Sequence, residues 1–218
     1  MKTALVFGSS GLIGGHLLSQ LIENDDYNKI KIFVRSEPEI NDPKVEIIKT
    51  DFNNLENYKE DIKGDDCFFC IGATKQNSPD KNEYRRVELD VPKQIAQIAK
   101  SNSVNSFLFV SSGYADPKSS GDYLKFKGEV EEELKRLNFP KLGIMRPSFL
   151  LGDRKEKRVG EKIGIFVFKL LSPLFLGPLK KMKPIHSATV AKAMIRTANE
   201  NLEKNIFESN EIAELVLN

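Results

Sequence analysis

The chain has 218 residues, 40% apolar and 29% charged, which is enough for one sizeable core and too few for two full domains. A formal net charge of +2 gives it no general attraction to nucleic acid, so none is expected as a partner. No apolar run reaches the roughly 18–20 uncharged residues that a membrane span needs, and the N-terminus opens on a strand rather than on an export signal, so the expected compartment is the cytoplasm.

In chain order, Thr3–Phe7 is an apolar run of strand type that leads into Gly8-Ser9-Ser10-Gly11-Leu12-Ile13-Gly14-Gly15. From His16 to Ile22 the apolar residues recur at helical spacing. Strand, glycine turn and helix form the setting that a dinucleotide-binding turn requires. One glycine permits the turn, one lets backbone approach a pyrophosphate, and one lets helix pack closely on strand. The spacing here is G-x-x-G-x-x-G. Lys29–Arg35 and Val45–Lys49 read as the second and third strands, followed by a short helix from Leu55 to Asp61. Cys67–Ile71 reads as the fourth strand, and Ser78-Pro79-Asp80 as a helix start. Glu83–Lys100 is helical by period, with Pro92 a kink or break. Ser106–Val110 is a fifth strand, residues 121–138 a helix, and Leu142–Met145 a sixth strand stopped by Arg146-Pro147. Strands alternating with helices predict a doubly wound parallel α/β sheet in the order 3-2-1-4-5-6, with ligands beyond the carboxyl ends of the strands. The expected organisation is one domain, with a core over 1–150 and a substrate-side extension over 151–218.

The two cysteines, Cys67 and Cys70, form a C-x-x-C inside the fourth strand, not at a helix start where a dipole would activate a thiol. Residues three apart on a strand face opposite sides, so buried core thiols are expected rather than a redox pair. With two histidines in all, no metal site is expected.

Several strand ends carry residues suited to a nucleotide. The second strand closes on Phe33-Val34-Arg35-Ser36 with no acid before Glu37. A 2′-hydroxyl is usually held there by an acid and a 2′-phosphate by a cation, so Arg35 favours NADP over NAD. Asp51-Phe52 after the third strand offers an acceptor for an adenine amino group. Ile71-Gly72-Ala73-Thr74 after the fourth is small enough for a ribose to lie against backbone. Tyr123 and Lys127 are four apart and share a helix face, behind Ser111-Ser112 at the end of the fifth strand. An ammonium beside a phenol favours the phenolate, which suits the tyrosine to exchange a proton with an alcohol or carbonyl while hydride passes to or from a nicotinamide.

These residues resemble the short-chain dehydrogenase/reductases. The match rests on Gly8, Gly11 and Gly14, Ser111-Ser112, Tyr123-x-x-x-Lys127 and Arg146-Pro147-Ser148. Finer runs are similar to the Tat-interacting-protein oxidoreductase group, an atypical branch that binds NADP(H). They are Arg86–Val91, Ala115-Asp116, Ser119-Ser120, Lys127–Glu131 and Leu150-Leu151-x-Asp153-Arg154. The resemblance implies a Rossmann fold, Tyr123 as acid/base, Lys127 as its tuner and ribose ligand, and Ser112 as substrate anchor with Ser111 in reserve. It also places the Arg146-Pro147 turn near the nicotinamide amide. Two departures stand out: extended members carry Asn about where Glu88 falls, and Ile71–Thr74 differs from the Asn-Ala-Gly of standard-length members.

Between Lys141 and Lys183 there are eleven Lys/Arg against three Asp/Glu, leaving 22 against 28 elsewhere. A basic patch beside a cleft points to an anionic substrate or an acidic surface. The apolar stretch Gly164–Leu179 allows core packing or a dimer face, a lid over an apolar substrate, or peripheral membrane contact. Monomer and homodimer both stay open. Ser187 is the expected cap of a helix running to about Ala198, and His186 before it is read as structural. The leading expectation is an NADP(H)-dependent oxidoreductase acting on a small-molecule carbonyl or alcohol. An NADP(H)-binding sensor or interaction module, and a nucleotide-sugar epimerase or dehydratase, are the alternatives. The 68 residues after Leu150 weigh against a bulky sugar nucleotide.

Overall fold

A computed structural model describes residues 1–73, 80–151 and 181–217. Seven parallel strands form the main sheet: β1 (Lys2–Phe7), β2 (Tyr27–Val34), β3 (Val45–Lys49), β4 (Asp66–Phe69), β5 (Ser106–Val110), β6 (Lys141–Arg146) and β9 (Ile206–Glu208). Their order is β3-β2-β1-β4-β5-β6-β9, which is the expected order with a seventh strand added beside β6. Two further short strands, β7 (Leu150–Leu151) and β8 (Ile185–His186), pair in parallel with each other.

Burial on both faces accounts for the strand sequences. Leu5 and Phe7 of β1 enter one core with α3 (Val91–Ser101) and α4 (Asp122–Leu137). Ala4 and Val6 enter the other with α1 (Leu12–Ile22), α5 (Ser187–Asn199) and α6 (Ser209–Leu217). Because alternate residues face opposite cores, these strands read as continuous apolar runs. Under the carboxyl ends of four adjacent strands the register aligns Phe33, Phe7, Phe69 and Phe109 in one row. Phe7 stacks on Phe33 at 4.3 Å, and neighbouring rings follow at 5.9–6.0 Å. Each such pair adds about 0.5–1.5 kcal/mol beyond its area burial. This row is the floor on which the candidate site stands.

Three expected boundaries shift, each for a local reason. The helix around Pro92 is broken into α2 (Lys81–Arg85), a π-helical segment (Arg86–Asp90) and α3. Proline lacks an N–H and its ring crowds the carbonyl four residues back, here that of Glu88. The wider π turn accommodates it, and the Val91 N–H reaches back to the Arg86 carbonyl. The helix expected over Leu55–Asp61 is a single 3₁₀ turn, Leu55–Tyr58. Ser187 does not cap α5. It is the first helical residue and is buried, while pairing of His186 with Leu151 fixes His186 as the extended residue before the helix. The Ser78-Pro79 part of the expected α2 start lies outside the described residues. Asp80 caps α2 by accepting from the Glu83 N–H at 2.8 Å.

Cys67 and Cys70 are both free thiols, and they pack into opposite cores. Burial pushes Cys70 up to about 12 and raises Cys67 as well. In the unfolded chain a thiol ionises near 8.5. The folded state therefore holds these protons more tightly, and their contribution to stability is complete below that pH and is lost as pH rises toward about 12. At pH 8 a thiol-specific disulfide reagent should titrate Cys67, which has no solvent exposure, only as fast as the chain unfolds, whereas Cys70 is part-exposed at the cleft. Rapid labelling of Cys67 in the native state would contradict this burial.

Candidate functional site

The site is built from the carboxyl-end turns of the sheet. Gly8 leaves β1 with φ +91°, and a side chain there would meet the Cys70–Ile71 backbone at 2.8 Å. The Gly11 N–H closes the turn on the Gly8 carbonyl at 3.0 Å. A Cβ on Gly14 would stand 2.0 Å from that same oxygen. The turn thus packs backbone on backbone with no room for side chains. Gly11 precedes α1 without a side-chain cap, and the first turn of α1 holds no acid. The unpaired N–H groups at Leu12, Ile13 and Gly14 and the positive helix end suit a phosphate. The Ile13 side chain itself turns into the core, and Ser9 is buried.

A cavity of about 230 Å³ opens on this turn. Gly8, Ser10, Gly11, Arg35, Asp51, Phe52, Ile71, Gly72 and Ala73, all expected ligands, line it. Thr74 lies outside the described residues. Arg35 is exposed at the end of β2. Asp51 accepts from the Asn53 N–H at 2.9 Å and from its side-chain amide at 2.8 Å, and these bonds hold its carboxyl below the usual range. Phe52 takes a left-handed φ of 61°. Its ring joins the phenylalanine floor at 6.5 Å from Phe7, and its carbonyl accepts from Arg86 at 2.9 Å.

Glu83 and Arg86, which were not singled out as ligands from the sequence, complete the outer wall. The Arg86 guanidinium forks onto the Glu83 carboxylate at 2.7 and 2.8 Å. Their i,i+3 spacing on one helical stretch was the available signal. Arg35 and Arg86 give this end of the cleft two cations against Glu83 and Asp51.

Ser112, Tyr123 and Lys127 lie beyond the cavity, at the end of β5 and on α4. Tyr123 stands in the first turn of α4, 38% exposed, and the Lys127 Nζ lies 6.0 Å from its ring centroid. Lys127 is buried, 4.9 Å over the Phe109 ring, and donates to the Val110 carbonyl at 3.4 Å. Gly128 lets this helix close on the Asp116–Pro117 loop, where a Cβ would meet backbone at 2.3 Å. The two serines are not equivalent. The Ser111 hydroxyl is buried and donates to Glu131 at 2.5 Å, whereas Ser112 is half-buried and makes a 3.3 Å contact with the Gly113 carbonyl.

The Arg146 guanidinium is engaged within the protein. It pairs with Glu131 through Nε at 2.9 Å and again through Nη2, reaches Glu208 at 3.3 Å, and donates to the Ala115 carbonyl. Pro147 is buried and its carbonyl accepts the Gly113 N–H at 3.0 Å, which ties the turn after β6 to the turn after β5. Neither Arg146 nor Pro147, both expected ligands, lines the cavity.

Glycine turn, uncapped helix start and strand-end cleft define a dinucleotide-binding α/β protein of the Rossmann type, and the backbone cradle fits a pyrophosphate. The comparisons narrow this. A family of NAD(P)H-binding proteins matches residues 8–201. Protein FMP52-1, mitochondrial, from Scheffersomyces stipitis is 30% identical over 98% of each chain. Protein HTATIP2 from Rattus norvegicus is 33% identical over 73% of this chain and 67% of its own. Among solved structures, a UDP-N-acetylglucosamine 4-epimerase from Methanobrevibacter ruminantium M1 superposes with a TM-score of 0.70 at 20% identity, covering 94% of this chain and 74% of that one. The Bordetella bronchiseptica enzyme WbmH, solved with NAD+, gives 0.72 at 16% identity over 95% and 75%. The chain belongs to the NAD(P)H-binding family as an atypical short-chain dehydrogenase/reductase. The cytoplasmic placement expected from the N-terminus is overturned, because the FMP52 relatives are named as mitochondrial. That expectation rested on reading the first residues as a strand, which does not bear on organelles inside the cell.

Proposed function

We propose that the chain is an NADP(H)-dependent oxidoreductase that reduces a carbonyl or oxidises an alcohol on a small molecule. The observation that carries this is the placement of Lys127, buried between the Tyr123 ring and the end of β5 and one strand-end away from a glycine-built nucleotide cleft. The turn from Gly8 to Gly14 would hold the pyrophosphate, with Ser9 and Ser10 inside it. Asp51 and Phe52 would border the adenine, and Ile71, Gly72 and Ala73, continuing toward Thr74, would lie along the ribose. Bound nicotinamide would supply or accept the hydride. The Tyr123 hydroxyl would give or take the proton, and the Ser112 hydroxyl would hold the substrate oxygen. Engagement of the Ser111 hydroxyl by Glu131 supports Ser112 in that role over Ser111. Lys127 would hold the proton balance at Tyr123 and reach the ribose, while the Arg146-Pro147 turn would border the nicotinamide amide.

The choice of NADP rests on Arg35 at the end of β2 and the absence of an acid on that strand end. Arg86 across the cleft adds a second cation. Titration with NADPH and with NADH, followed by nicotinamide fluorescence, tests this. NADPH should bind more tightly, and Arg35→Ala should weaken NADPH about tenfold while leaving NADH nearly unchanged. Equal or tighter NADH binding would remove the Arg35 argument. Binding of neither nucleotide would make the protein an interaction module.

A further inference from the structure

One buried carboxylate joins the two halves of this site. Glu88 has no solvent exposure and sits in the π-helical segment before Pro92. One of its oxygens accepts the Ala73 N–H at the cleft wall. The other lies 3.0 Å from the Lys127 Nζ, which is itself 3% exposed. The π turn matters here, because it widens the helix at the residue that must reach both β4's exit and α4, and such turns recur at functional sites.

We propose that Glu88 is a positioning residue of this site, holding the Lys127 ammonium charged and in place while its second oxygen fixes the Ala73 backbone at the cleft. The proposal rests on the roles given above to Tyr123 and Lys127. Among the described residues, few groups face Lys127 from the packed elements. Glu88 comes from the π segment, Tyr123 and Glu131 from α4 itself, Cys70 from the exit of β4, and the Phe109 ring and Val110 carbonyl from β5. Tyr84 on α2 faces Glu88 itself, and after it Tyr123 and Asp122. Burial alone would strip the ammonium of its proton. The charges of Glu88 first and Tyr123 second outweigh it, and Lys127 is held above its ordinary range. A neutral side chain in place of Glu88 could accept from Ala73 but could not balance a buried cation.

The test needs no substrate. In protein labelled with ¹³Cε-lysine, the Lys127 signal is assigned by Lys127→Met and followed by NMR against pH. In the wild type, Lys127 should keep its proton to higher pH than an exposed lysine does, despite its burial. In Glu88→Gln, which keeps the shape and an acceptor for Ala73, it should lose its proton about two pH units lower or more. A purely structural glutamate would change stability and leave this titration where it was, and that result overturns the proposal. If Glu88→Gln does not fold, the wild type decides alone, since a Lys127 that loses its proton near neutrality also overturns it. An NADPH titration of the wild type separates the two readings. NADPH binding with an unmoved Lys127 removes the role of Glu88 only. A shifted Lys127 without nucleotide binding supports Glu88 as the partner of Lys127 and removes the cofactor reading.

Discussion

Tyr123→Phe should abolish turnover while leaving NADPH binding within about twofold of the wild type. The substitution removes one oxygen from a side chain already 38% exposed in the first turn of α4, so packing hardly changes. The ring keeps its place 6.0 Å from the Lys127 Nζ. What is lost is the phenol hydroxyl that would pass a proton to a substrate oxygen. Acid–base assistance of that kind contributes about 10²–10⁴-fold in rate. The measurement is nicotinamide absorbance against a panel of aldehydes and ketones, with fluorescence titration of NADPH in parallel. A drop of about a thousandfold with binding intact would assign the proton to Tyr123. Unchanged turnover would move the acid elsewhere and sink the mechanism proposed here. A chain that binds NADPH but turns over no substrate in either form would be a sensor.

Local signals made much of this architecture readable. Six strands, their order and the α4 span follow from apolar runs, turn residues and a helical period that agree with one another. The shared face of Tyr123 and Lys127 follows from helix geometry alone. Contacts made across long sequence separations were not readable. β9 is only three residues long, with Phe207 its one buried apolar anchor, so no periodicity marks it. The family resemblance placed the Arg146-Pro147 turn near the nicotinamide amide. The Arg146 guanidinium is engaged by Glu131 and Glu208, 15 and 62 residues away, which no spacing announces. Glu88 stood out as a departure from the extended members and as part of the run Arg86–Val91, with no sign of its role, and its two partners at Ala73 and Lys127 become neighbours through the fold. The apolar stretch over 164–179 lies outside the described residues, as does most of the basic patch.

Gly14→Ala should do more damage than any other single methyl added to the nucleotide turn. The new Cβ would stand 2.0 Å from the Gly8 oxygen and 2.7 Å from its carbon, and both are backbone atoms of a turn already closed by the Gly11 N–H. No side chain can rotate away to make room, so α1 must lift from β1 or the turn must open. Overpacking of this kind costs about 1–3 kcal/mol, and a backbone clash belongs at the upper end. Lifting α1 also pulls its first N–H groups off the position where a pyrophosphate would sit, so NADPH affinity should fall about a hundredfold or more, on the order of 3 kcal/mol. Gly15→Ala is the control. Its Cβ would meet nothing closer than the Ser9 oxygen at 3.6 Å, an ordinary contact, and alanine is the better helix former by roughly 0.5–1 kcal/mol. Thermal unfolding and NADPH titration of the two variants should therefore diverge: Gly15→Ala as stable as the wild type or slightly more so, with binding retained, and Gly14→Ala weakened in both. Equal behaviour of the two would mean that the turn is not the rigid cradle that the Gly8–Gly14 contact describes, and the assignment of the phosphate site would fall with it.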